Sequence, residues 1–139
     1  MCTARVLYVD TDPMGMAHHG AALRWFEQGR CEWLRQRGRT YRDLEAAGTL
    51  LPIYELRVRY RRPARYDELL AIHTELGPVR PVRVVFRYRV VRQADGVLLV
   101  EGETHHACVD RQGRPWPLPD DLHALLQAHA APSNDAGHA

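Results

Sequence analysis

The sequence predicts an α+β domain in which a curved antiparallel sheet wraps around one long helix. Three observations lead there. From His19 to about Arg37 the apolar residues recur at helical spacing. After Pro52 the period drops to two and holds through three or four successive segments. Short turn signals join those segments, and tight connections imply antiparallel neighbours.

The long helix is justified by Ala22, Trp25, Phe26, Gly29 and Trp33, which fall on one stripe. Gly38 is its expected stop. Gly29 in mid-helix costs about 1 kcal/mol against Ala, so a close approach of other backbone is expected there. A short helix follows from about Tyr41 to Ala47, closed by Gly48. Tyr54, Leu56, Val58 and Tyr60 then alternate with Glu55, Arg57, Arg59 and Arg61, the pattern of a half-buried strand. Arg62 to Asp67 is a turn, and Leu69 to Leu76 is a strand ended by Gly77-Pro78. Val82, Val84, Phe86, Tyr88 and Val90 mark the next strand. Ala94-Asp95-Gly96 carries a hairpin signal, and Val97 to Asp110 returns. A small helix runs from Pro119-Asp120 to about His129, giving one domain over residues 1–129 and a disordered tail over 130–139. At the N-terminus, Val6-Leu7-Tyr8-Val9 reads as one further strand. A helix with this stripe must be covered, and the concave face of the sheet is the only partner available. That is the hotdog arrangement, whose few strands leave sheet edges to be paired between subunits.

The chain of 139 residues is long enough for one real core. It is 45% hydrophobic and 26% charged, and no apolar run approaches the roughly 20 residues of a membrane span. With no secretory signal pattern at Met1–Arg5, a cytoplasmic protein is expected. The net charge of +2 is too small to imply nucleic acid. All nineteen basic residues are arginine, the better fork for phosphate and carboxylate. Cys2, Cys31 and Cys108 show no pairing or metal spacing and are expected as reduced thiols. His18-His19 and His105-His106 are adjacent pairs, which point apart on a strand, so neither a metal site nor a cofactor is expected.

The chemistry is concentrated in Asp10-Thr11-Asp12-Pro13-Met14-Gly15-Met16-Ala17-His18-His19, which leads into the long helix. A carboxylate beside the free N–H groups of a helix start is suited to attacking and polarising a carbonyl. Asp10 and Thr11 read as residues that fix the turn, and Gly15 as the residue that lets the backbone fold tightly. Glu27 and Arg30, three apart on the helix, are expected to pair.

This segment, followed by Leu23-Arg24-Trp25-Phe26-Glu27-Gln28-Gly29-Arg30, resembles the signature of hotdog-fold acyl-CoA thioesterases. The subgroup is the 4-hydroxybenzoyl-CoA type, including thioesterases associated with the Tol–Pal system. Val58 to Glu68 and Gly102 to Val109 are similar to later segments of the same family. The resemblance implies acyl-CoA hydrolysis without a cofactor, in homodimers commonly assembled into homotetramers with the active site at the subunit interface. It makes Asp12 the catalytic carboxylate, as nucleophile or general base, and puts the backbone N–H of His19 on the thioester carbonyl. Gly15 and His18 fall in the substrate-binding segment. Arg61, Arg62 and Arg65 are the first candidates to hold the phosphates of coenzyme A, and the remaining strand arginines read as a solvated sheet face. Many relatives follow the histidine with Ala-Asn-Tyr; here Gly20-Ala21-Ala22 implies a roomier acyl site. Two alternatives stay open: an acyl-CoA binding protein without catalysis, and a thioesterase acting on acyl-carrier-protein thioesters.

Overall fold

Helix α1 (Ala21–Arg35) turns its apolar stripe onto the sheet, and Ala22, Trp25, Phe26, Gly29 and Trp33 are all buried. In the computed structural model, which describes residues 1–130, that sheet has five antiparallel strands. They are β1 (Cys2–Arg5), β2 (Ile53–Tyr60), β3 (Leu69–Arg80), β4 (Arg83–Arg92) and β5 (Leu98–Ala107), in the order β1-β3-β4-β5-β2. Helix α2 (Tyr41–Ala46) follows α1, and α3 (Asp120–His129) closes one end of the core through Leu122 and Leu126. Of the expected tail, Ala130 packs against the core, and residues 131–139 lie outside the described residues.

Aromatic and small residues fit helix to sheet. Phe26 stacks on Tyr88 with ring centroids 4.3 Å apart, and Trp33 meets Phe86 edge-on at 5.7 Å. At Gly29 the helix comes close to the sheet. A Cβ there would lie 2.9 Å from Ile72 Cγ2 and nearer still to Thr74 Oγ1. The approach is therefore to β-branched side chains of β3 rather than to backbone. Under Phe26, β5 has Gly102, where a Cβ would lie 2.9 Å from the ring.

Three sequence expectations need correction. The run Val6 to Val9 is not a strand: β1 is Cys2–Arg5, and Tyr8–Asp10 forms one 3-10 turn. Only Val6 enters the core, because the Asp10 carboxylate accepts the Leu7 N–H at 2.8 Å and curls the chain outward. Local side-chain bonding has overridden strand propensity. The strand at Leu69 does not stop at Gly77-Pro78 but continues to Arg80 through a register shift between Leu76 and Val79. Proline, which has no N–H for the ladder, is accommodated at such a bulge. Finally, β2 is not half-buried in the protomer. It is an edge strand, α1 packs over β3, β4 and β1, and Tyr54, Leu56 and Tyr60 remain exposed.

The outer face of the sheet carries charge in alternating order. Register sets Arg57 opposite Glu103 and Glu103 opposite Arg87, with Arg59, Glu101 and Arg89 in the next row. Arg87 Nε lies 3.5 Å from Glu103, and Arg61 Nε lies 2.9 Å from Glu101. Most strand arginines are thus occupied on a solvated face.

Candidate active site

The segment between β1 and α1 is folded back on itself by short hydrogen bonds. Asp12 N–H donates to the Met16 carbonyl at 2.8 Å, and Gly15 N–H donates to the Asp12 carbonyl at 3.0 Å. Gly15 takes φ +77, a value that glycine adopts without strain. Asp12 Oδ1 accepts the N–H groups of Met14 (2.9 Å) and Met16 (3.3 Å), so one carboxylate oxygen holds the turn. Among the described residues the other oxygen, Oδ2, accepts no hydrogen bond.

Thr11 and Ala17 bridge in antiparallel fashion, and His18 N–H donates to the Asp10 carbonyl at 2.8 Å. This small loop returns His18 and His19 to the neighbourhood of Asp12. The carboxylate is therefore not in the first turn of α1, which begins only at Ala21. It reaches the helix start by chain reversal. Asp10, only 3% exposed, also binds Arg24 of α1: Nε donates to Oδ1 at 3.1 Å and Nη2 donates to Oδ2. Thr11 Oγ1 donates to the Tyr8 carbonyl at 2.7 Å. Both residues do the structural work expected of them.

Asp12, His18, His19, Arg61 and Arg62 line one half-open cavity of about 300 Å³, floored by Met16, Trp25 and Val100. Gly15 and Arg65 do not line it. Gly15 shapes the turn behind Asp12, and Arg65 contributes backbone, bridging to Met16 and donating its N–H to Glu68 at 2.6 Å. Ala21 and Ala22 are packed in the core, and Gly20, Ala21 and Ala22 are not among the residues that line this cavity. Among the described residues the His19 N–H has no hydrogen-bond partner.

Tyr60 also lines the cavity, and sequence reasoning had placed it on the buried side of β2. Its hydroxyl donates to the His19 carbonyl at 2.6 Å, and its ring lies 4.7 Å from the His19 imidazole. Burial raises its pKa, so the phenol remains a donor at neutral pH. The available signal was its position, last in the alternating strand and directly before the Arg61-Arg62-Pro63 turn.

The other histidine pair is structural. His106 Nδ1–H donates to the Leu51 carbonyl at 2.8 Å, which fixes the tautomer. Its Nε2 then accepts from Thr104 Oγ1 (2.8 Å), which in turn accepts from the Tyr88 hydroxyl (2.6 Å). Burial lowers the His106 pKa to about 4, so the ring is neutral. His105, on the opposite face, lies 2.9 Å from Glu103. Among the described residues no group of three or more His, Cys, Asp or Glu side chains is placed to hold a metal. No helix among them is long and apolar enough to cross a membrane.

Comparison with known proteins agrees with the fold. Residues 6–126 match the Thioesterase-like superfamily. The chain belongs to it. The "Acyl-CoA thioester hydrolase YbgC" of Escherichia coli O6:H1 is 35% identical over 119 residues, 85% of this chain and 88% of that protein. The "Putative acyl-CoA thioesterase YneP" of Bacillus subtilis is 32% identical over 107 residues, 77% of each chain. A crystal structure of a hypothetical protein from Thermus thermophilus superposes with a TM-score of 0.84 at 34% identity, covering 93% of this chain and 99% of that one. The sheet-and-helix arrangement is the hotdog fold of this superfamily.

Proposed function

We propose that this chain hydrolyses an acyl-CoA thioester to the free acid and coenzyme A in the cavity beside Asp12. The observation that carries the reading is the pairing, in one cavity, of an unengaged carboxylate oxygen with an unengaged backbone N–H. The His19 N–H receives the thioester oxygen and stabilises the charge that develops there. Asp12 Oδ2 then either attacks the carbonyl carbon, expelling the thiolate and leaving a mixed anhydride that water opens, or takes the proton of an attacking water. Its partner oxygen is tied down by Met14 and Met16, so the carboxylate is held in one orientation for either route. Tyr60, by binding the His19 carbonyl, fixes the peptide that follows it.

Arg61 and Arg62 stand at the cavity wall and offer cations to the coenzyme A phosphates. Arg61 already faces Glu101, which makes Arg62 the freer of the two. Arg65 lies outside that wall. The acyl-CoA names of the two curated relatives support the substrate class. The exposed apolar edge of β2, with Ile53, Tyr54, Leu56 and Tyr60 at 39–50% exposure, supports a homodimer formed there and assembled into a homotetramer.

The test is thiol release from short, long, branched and aromatic acyl-CoAs, and from an acyl-carrier-protein thioester, with wild type and Asp12→Asn. Turnover is expected to fall by about 10³ or more in the variant, since the amide neither attacks nor accepts a proton. Undiminished release by the variant would remove Asp12 from the mechanism. No release from any ester by the wild-type protein would favour binding without hydrolysis.

A further inference from the structure

A second cavity, of about 390 Å³, lies between α1, α2 and the Leu50–Pro52 connection to β2. Its volume is in the range of small-molecule sites. Among the described residues it shares no lining residue with the cavity of Asp12. Two groups in its wall are unusual. Arg30 Nη1 and Tyr41 Oη are both buried, and neither makes a hydrogen bond of regular geometry, although the guanidinium and the phenol are near neighbours. Arg30 lies beside the phenols of Tyr41 and Tyr88. The intrahelical pair expected between Glu27 and Arg30 does not form, and among the described residues no carboxylate pairs with Arg30. Burial pushes the Tyr41 phenol far above its ordinary pKa, so it keeps its proton and can donate it to an acceptor in the cavity.

A guanidinium partly turned from water without an anion is costly, and a buried hydroxyl without a well-formed hydrogen bond adds to that. Native proteins seldom leave both unmet in one place. The opposite wall is apolar, formed by Leu50, Leu51 and Pro52. Glu27 and Glu45 stand at the rim but are exposed, so water screens their repulsion more than it screens the half-buried Arg30 and Tyr41.

We infer that this cavity binds a small apolar carboxylic acid, its carboxylate on Arg30 and Tyr41 and its body on Leu50, Leu51 and Pro52. An acid of this kind is the chemical class that thioester hydrolysis releases, so the identity of the ligand rests on the proposed function. The site itself does not. A carboxylate accepts both donors at once and supplies the missing counter-charge.

The experiment is calorimetric and NMR titration of the full chain with benzoate and hexanoate, and with benzamide and hexanol as uncharged controls. Wild type, Asp12→Asn, Arg30→Gln and Tyr41→Phe are compared, each first checked for an unchanged spectrum of the folded state. Saturable binding of both carboxylates is expected in wild type and Asp12→Asn. Arg30→Gln should weaken it tenfold or more, and Tyr41→Phe several-fold. Tyr41→Phe keeps the ring, so the inference stays testable if Arg30→Gln fails to fold. Absence of saturable binding, equal affinity in Tyr41→Phe, or equal binding of benzamide and benzoate would overturn it. Loss of binding in Asp12→Asn would overturn it too, by moving the ligand to the other cavity. Carboxylate binding by a protein that releases no thiol would leave this site standing and remove the hydrolase reading. Thiol release without carboxylate binding would do the reverse.

Discussion

Gly29→Ala decides whether helix propensity or packing governs the centre of α1. Propensity alone favours the substitution by about 1 kcal/mol. The structure opposes it: the new Cβ would lie 2.9 Å from Ile72 Cγ2 and nearer still to Thr74 Oγ1. Carbon atoms pack best at about 3.5–4.0 Å, so the helix must lift by on the order of 0.6–1 Å. Neither neighbour yields readily, since both branch at Cβ and are stiff about χ1. Overpacking of this kind costs about 1–3 kcal/mol. Lifting α1 also loosens the Phe26–Tyr88 stack, worth about 0.5–1.5 kcal/mol beyond its buried area. The net expectation is a loss of about 1–2 kcal/mol, read from urea unfolding with an unchanged m-value. At this chain length that lowers Tm by about 3–7 °C. An alanine variant as stable as wild type, or more so, would refute the close approach as the reason for Gly29.

Three further outcomes follow from the structure. His106, neutral in the fold with a pKa near 4 against 6.5 when unfolded, takes up its proton more readily in the unfolded chain. Its contribution is therefore fully present above pH 6.5 and is lost as pH falls toward 4, amounting to about 3 kcal/mol at most. Stability measured across that window should slope accordingly, and a flat profile would show the ring is not held neutral. Asp10→Asn should cost about 1–2 kcal/mol, the ion pair being discounted because the Arg24 side chain is 38% exposed. A double-mutant cycle with Arg24→Gln should show coupling, and additive effects would mean the pair contributes nothing. Arg62→Gln should raise KM for acyl-CoA about 5–10-fold at low salt with kcat nearly unchanged, since it touches the phosphates and not the reacting bond. An unaltered KM would place coenzyme A elsewhere.

Patterns local in sequence were legible because their physical causes are local. The stripe Ala22-Trp25-Phe26-Gly29-Trp33 needs only helical geometry to line up, and the core face Val84-Phe86-Tyr88-Val90 needs only the pleat of a strand. Gly48, Gly96 and Gly113 at turns with positive φ follow from the absence of a Cβ. Asp12 and His19 were legible through a motif, seven residues apart in the chain, but not through any distance between them.

What the sequence could not supply depended on neighbours remote along the chain. Tyr60 joins the cavity because β2 lies at the sheet edge, 41 residues from the His19 carbonyl that its hydroxyl meets. Val6 to Val9 is apolar enough for a strand, yet Asp10 and Arg24 bend it into a 3-10 turn once α1 is in place. Arg65 looked like Arg61 and Arg62 until the turn after β2 sent its backbone, not its side chain, to the loop that carries Asp12. Arg30 was expected to pair with Glu27 and instead faces a cavity between two helices and a loop. By itself, then, the sequence determined the periodicities, the turns and the residues able to do chemistry. Tertiary structure decided which of those residues share a cavity, because convergence depends on chain reversal and strand order.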